Sequence, residues 1–136
     1  MSTPSTEIVT TSLQQALVDL IDLSLQAKQA HRHVYGPQVR SGHLQPDDVA
    51  ERLVAVGGLP DGRASAVVAS STVETYEAGA VAADKVIAQF EERLSAAATR
   101  IRDELPELES DLPSQDLLTG IAYQLEKQAW MFRASR

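Results

Sequence analysis

Leu13-Gln14-Gln15-Ala16-Leu17-Val18-Asp19-Leu20-Ile21-Asp22-Leu23-Ser24-Leu25-Gln26-Ala27-Lys28-Gln29-Ala30-His31 sets Leu13, Leu17, Leu20, Ser24, Ala27 and His31 at alternating steps of four and three. At 3.6 residues per turn, that alternation draws one stripe along a single helix. It predicts a long helix over about Thr6 to Val34 with His31 on the buried side.

Downstream the pattern repeats. Ala83, Ile87, Phe90, Leu94, Ala97 and Ile101 predict a helix over about Gly79 to Leu105, stopped by Pro106, with Glu91, Glu92, Arg93, Arg100 and Arg102 on its exposed face. A further helix enters near Pro113, where Asp111 and Asp116 suit the positive end of the dipole, and buries Leu118, Ile121, Leu125, Ala129 and Phe132. Between the first two lies a shorter helix, about Pro46 to Val56, ended by Gly57-Gly58 and the turn Leu59-Pro60-Asp61-Gly62. A crossover from Leu59 to Ala78 follows, within which Ala64 to Ser70 is expected to form a short helix. Alternation of the strand kind is absent. Four helices with one long middle connection make an all-α, ferritin-like four-helix bundle, with the crossover between helices two and three and the second helix short.

With 136 residues, 43% of them hydrophobic, one domain over residues 1–136 is expected, with residues 1–11 as a flexible tail. There are no cysteines, which excludes disulfides, thiolate metal sites and cysteine nucleophiles. No secretory signal and no run of about 20 apolar residues is visible, so a cytoplasmic protein without a membrane span is expected. A formal net charge of -7 repels phosphate backbones, so direct DNA binding is expected to be weak or indirect.

The chemistry-bearing residues are His31, His43, Asp47 and Glu51. Two imidazoles and two carboxylates suit a small transition-metal ion. Ferritin-like di-iron sites use Glu-x-x-His pairs, and none of the three histidines here has a Glu three residues before it, so a metal site must be assembled in another way. Each residue also has a plainer reading. His31 on an apolar stripe reads as a hydrogen-bonded core histidine, Asp47 and Asp48 behind Pro46 as an ordinary helix start, Glu51-Arg52 as a solvated pair, and Trp130 and Met131 as packing residues.

From Leu17 to Ala134 the chain resembles the Dps proteins, the mini-ferritins that protect DNA in starved or oxidatively stressed bacteria. Asp22 to His31, Gly36-Pro37, His43, Ala50-Glu51-Arg52, Gly57-Gly58 and Leu125-Glu126-Lys127-Gln128-Ala129-Trp130-Met131 carry the resemblance. It implies a hollow homo-dodecamer whose ferroxidase sites lie between subunits, where Fe(II) is oxidised, preferentially by hydrogen peroxide, and stored as ferric mineral. In the family one subunit gives a His from the first helix and a His-x-x-x-Asp from the second, and its partner gives an Asp-x-x-x-Glu. By that resemblance His31, His43, Asp47 and Glu51 are the iron ligands. Here Asp47 occupies both Asp places at once, which reads as a deletion of about 11 residues, close to three whole helical turns. The downstream apolar face keeps its phase, with Val49, Leu53 and Val56 inward, while roughly 16 Å of helix is lost. The deletion should misplace Glu51, and Arg32, where the family has Trp, sets a positive charge beside the site.

Three functions follow from this reading. The first is a Dps-like ferroxidase and iron store that protects DNA by removing iron and peroxide, in the cytoplasm or with the nucleoid. The second is a non-catalytic Dps-like structural subunit, or one that co-assembles with a full-length paralogue. The third is a metal-free helical interaction module.

Overall fold

The computed structural model describes residues 3–33, 44–75 and 83–134, without the side chains of residues 30–33 and 83. Its helices are α1 (Pro4–His33), α2 (Pro46–Ala55), α3 (Ala64–Ser70), α4 (Ala83–Glu104) and α5 (Leu112–Ala134), with a 3-10 turn at Leu105–Leu108. Among the described residues there is no strand. α4 and α5 pack along each other, joined by the short turn at Pro106, and α1 packs on both α2 and α4. Two cross-links, Arg102 to Glu126 at 2.7 Å and Glu91 to Arg133 at 2.6 Å, run in opposite residue order along α4 and α5, as antiparallel helices require.

α1 starts earlier than its stripe suggests. Thr3 Oγ1 accepts the Thr6 amide at 3.1 Å, satisfying one of the orphan donors at a helix start, and Val9 is buried. Residues 4–11, expected as part of a flexible tail, are therefore helix. The stripe itself is largely buried, with Leu13, Leu17, Leu20 and Ala27 in one core with Phe90, Leu94 and Leu125, whereas Ser24 is half-buried.

α2 is the short helix that the sequence predicts. It begins at Gln45, whose backbone is left-handed at φ 60, with Pro46 in the first turn and Asp47 and Asp48 at the positive end of the dipole. It ends in a two-bond reverse cap: the Gly58 amide donates to Leu53 O at 2.9 Å and the Gly57 amide to Val54 O at 3.0 Å, with Gly57 at φ 91. A Cβ on Gly58 would meet the end of the buried Leu53 side chain, which would have to shift to admit it. At 1.5 Å per residue α1 is about 45 Å long and α2 about 15 Å.

The crossover lies along α1 as a polar strap. Gln14 exchanges two hydrogen bonds with the Asp61 backbone, Gln15 donates to Ser70 O at 2.9 Å, and Gln26 donates to Glu74 O at 3.2 Å. Asp19 accepts from the Thr72 amide at 2.8 Å and its hydroxyl at 2.7 Å, and Asp22 accepts from Ser71 Oγ at 2.6 Å. From the other side Arg93 donates through Nε to Glu74 O and through Nη2 to Thr75 O, both at 3.0 Å. Arg93 is only 7% exposed, which corrects its placement on the solvent face of α4. Trp130 and Met131 are the converse correction: both are more than half exposed, outside the core.

Glu104, on the last turn of α4, carries a pH signature. Burial pushes its carboxyl up, against the opposing pull of Arg100 and a hydrogen bond from Ser12. A carboxyl whose folded pKa is raised costs stability while ionised, and the cost disappears as pH falls below the ordinary carboxylate value. Glu104→Gln keeps an acceptor for Ser12 without the charge. Its melting temperature should exceed the parent's at pH 7, with the gap closing toward pH 4; an equal gap at both values would show that burial of the charge is not the cause.

Candidate metal centre

The two candidate carboxylates come from α2. Asp47 and Glu51 are four residues apart and therefore share one face, a turn apart. Val49 and Leu53, at 0% and 1% exposure, take the opposite face and dock the helix on the core. Burial of that pair turns Asp47 and Glu51 to solvent, and both are exposed. The ten-residue helix is thus amphipathic, with Val49 and Leu53 inward and the two carboxylates outward. His31 lies in the last turn of α1 and its side chain is not among those described; His43 lies outside the described residues altogether. Among the described residues, no three His, Cys, Asp or Glu side chains converge on one point. Of the four candidate residues, Asp47 and Glu51 are the two whose side chains are described, and they stand together on one exposed face.

Arg52 does not form the solvated pair with Glu51 that its position suggests. Its Nη2 reaches both Asp111 carboxylate oxygens, at 3.0 and 2.9 Å, and its Nε donates to Ser114 Oγ at 3.1 Å. Asp111 immediately precedes α5, where Ser114 Oγ also hydrogen-bonds its carboxylate. The Ser114 hydroxyl, with the Arg52 fork beside it, holds the Asp111 carboxyl below the usual range. Stability from such a lowered carboxyl is present at neutral pH and is lost as pH falls through its folded value. The sequence signals only the local half of this clasp, Asp111 followed three residues later by Ser114 at a helix start; nothing local points to Arg52 as its cation.

The all-helical bundle and its long crossover between α2 and α4 define a class. A family model described as a ferritin-like domain matches residues 10–135, and the chain is a ferritin-like protein. It is 33% identical over 135 residues to DNA protection during starvation protein 2 of Deinococcus radiodurans, covering 90% of this chain and 56% of that protein. The chain thus spans little more than half the length of that relative. It is 31% identical to the DNA protection during starvation protein of Mycolicibacterium smegmatis, over 90% of this chain and 73% of the relative. Among solved structures, a Dps from Deinococcus radiodurans superposes with a TM-score of 0.86 at 31% identity, over 97% of this chain and 87% of that one. The tetragonal form of Mycobacterium smegmatis Dps gives 0.86 at 28% identity, over 99% and 89%. The chain belongs to the Dps family. The likeness to the Deinococcus protein runs over 135 positions yet draws in 90% of this 136-residue chain, so that relative has residues with no counterpart here.

Proposed function

We propose that this chain is a Dps-type ferroxidase and iron-store subunit, with Fe(II) as its substrate and iron as its cargo. Asp47 and Glu51 supply the carboxylate half of the site, and His31 and His43 supply the imidazole half across a subunit boundary in a homo-oligomer, a dodecamer by family resemblance. The observation that carries this reading is the outward pairing of Asp47 and Glu51, a turn apart on the face opposite Val49 and Leu53. Membership of the Dps family supports it.

The chemistry follows from charge. Two carboxylates bring two negative charges, and the attraction scales with the charge on the metal, so they stabilise Fe(III) more than Fe(II) and make the electron easier to lose. One hydrogen peroxide accepts two electrons, so two ferrous ions are oxidised as its O–O bond breaks to two waters with the uptake of two protons. Removing both reagents protects DNA without contact, which suits a chain of net charge -7.

The test is an anaerobic ferrous titration followed by peroxide, on the parent and on an Asp47→Ala/Glu51→Ala double variant. The parent should bind Fe(II) and produce ferric absorbance, with affinity lowered by about 100-fold or more in the variant, given that even outer partners of metal ligands are worth about 10- to 100-fold. Equal turnover in both would remove these carboxylates from the site. The ten-residue length of α2 favours a second reading, a structural subunit without turnover. An assembled parent, at about twelve times the chain mass by light scattering, that binds no iron would select it.

A further inference from the structure

α2 has ten residues, and isolated helices shorter than about 12 residues are marginal in water, so its orientation depends on what it packs against. Val49 and Leu53 provide that packing. They lie almost on one line along the helix, which fixes where the axis runs better than it fixes rotation about the axis. A rotation matters here because it swings Asp47 and Glu51 through the same angle.

Ala50 and Val56 add partly buried apolar contacts, and Arg52 adds an off-line polar one that reaches α5. At roughly 100° per residue it lies to one side of the Leu53 line, with Glu51 a further 100° round. Its guanidinium, with the side chain 27% exposed, spans to Asp111 and Ser114 at the start of α5. The receiving carboxylate is itself fixed, because Ser114 Oγ hydrogen-bonds it within the first turn of α5. Arg52, next to Glu51, thus holds the start of a different helix through two guanidinium nitrogens, Nη2 on Asp111 and Nε on Ser114, and two such bonds set angle as well as distance.

We propose that Arg52 is a positioning residue: its fork onto Asp111 and Ser114 sets the rotation of α2 and thereby the direction in which Asp47 and Glu51 meet their iron. This rests on the ferroxidase reading for its consequence, and on the structure alone for the fork. A Lys at position 52 retains the charge but has no planar fork, so it supports overall stability and leaves the rotation loose.

The test uses the intact assembly and compares parent, Arg52→Ala, Arg52→Lys and Asp111→Asn. Two readouts are taken: amide exchange resolved by helix, and anaerobic Fe(II) affinity at a temperature where circular dichroism shows every variant folded. In Arg52→Ala, exchange in α2 should rise about tenfold with α4 and α5 unchanged, and Fe(II) affinity should fall about 10- to 100-fold, the scale set by misplacement of about 1 Å. Arg52→Lys should recover the melting temperature but not the affinity. If Lys restores parental affinity, charge alone suffices and the positioning role is overturned; unchanged α2 exchange and affinity in both Arg52→Ala and Asp111→Asn would overturn it too. A parent that binds no iron overturns the ferroxidase reading, while α2 exchange in the same variants still decides whether Arg52 fixes the helix. Should Arg52→Ala fail to fold, Arg52→Lys and Asp111→Asn carry the same comparison.

Discussion

Phe90→Ala is expected to lower folding stability by about 3–5 kcal/mol, the range for deleting a fully buried aromatic side chain. Phe90 is 1% exposed, ranks among the largest wholly buried side chains, and meets Phe132 with ring centroids 6.1 Å apart at a tilt of 34°. It therefore ties the middle of α4 to the last turns of α5, where no cross-helix loop could substitute. The cost combines lost apolar burial with the cavity left behind, because neighbouring helices in a close-packed core relax only in part. Urea unfolding at matched protein concentration is the measurement, since assembly adds a concentration-dependent share to apparent stability. Phe90→Leu, which fills most of the space, should cost less than about 1.5 kcal/mol. An Ala variant no weaker than the Leu variant would mean that Phe90 faces an open space rather than the core.

Phe90 was legible from the sequence, and the reason is periodicity. A stripe of apolar residues at steps of three and four has one low-energy use, burial against other stripes, so spacing alone assigns Leu13, Leu17, Leu94, Leu118 and Leu125 to the core, and all five are buried. Punctuation was legible for a similar reason. Gly57 adopts the positive φ that a reverse helix cap requires, and the crossover helix Ala64–Ser70 falls within the predicted bounds.

Polar residues inside the bundle were not legible. Gln15, Asp19, Asp22 and Gln26 also recur at helical spacing, and such a stripe reads as a wet face. Here it receives the crossover, with Asp19 4% and Gln26 7% exposed, because the strap brings its own backbone donors and acceptors. Arg93 was misplaced by its chemistry although its register was right: it is three residues from Phe90 and one from Leu94, within the buried sector. Helical register decides where a side chain points, and an arginine so placed is tolerated when carbonyl oxygens surround its head. The candidate site was legible only as a face. The sequence put Asp47 and Glu51 together on α2, but the fork from Arg52 to Asp111 spans 59 positions, and no local pattern announces a contact of that range.

Arg93→Ala is expected to have a large effect, about 3 kcal/mol of stability, drawn from the loss of hydrogen bonds from a charged donor, each worth about 1.5–3 kcal/mol. Arg93 donates to Gln89 O on its own helix as well as to Glu74 O and Thr75 O on the strap. The Gln89 carbonyl lies within α4 and keeps a helical partner available, so the loss falls on the strap. Glu74 O still accepts from Gln26, whereas the Thr75 carbonyl must turn to water, which pulls the strap from α4. Amide exchange over residues 71–75 should therefore rise well before that of α5. Arg93→Met separates the two parts of the effect, because it restores the apolar stem without any donor. Strap exchange in Arg93→Met should match that in Arg93→Ala while global stability partly recovers; parental protection of the strap in the Met variant would show that packing of the stem, and not the guanidinium bonds, holds the crossover in place.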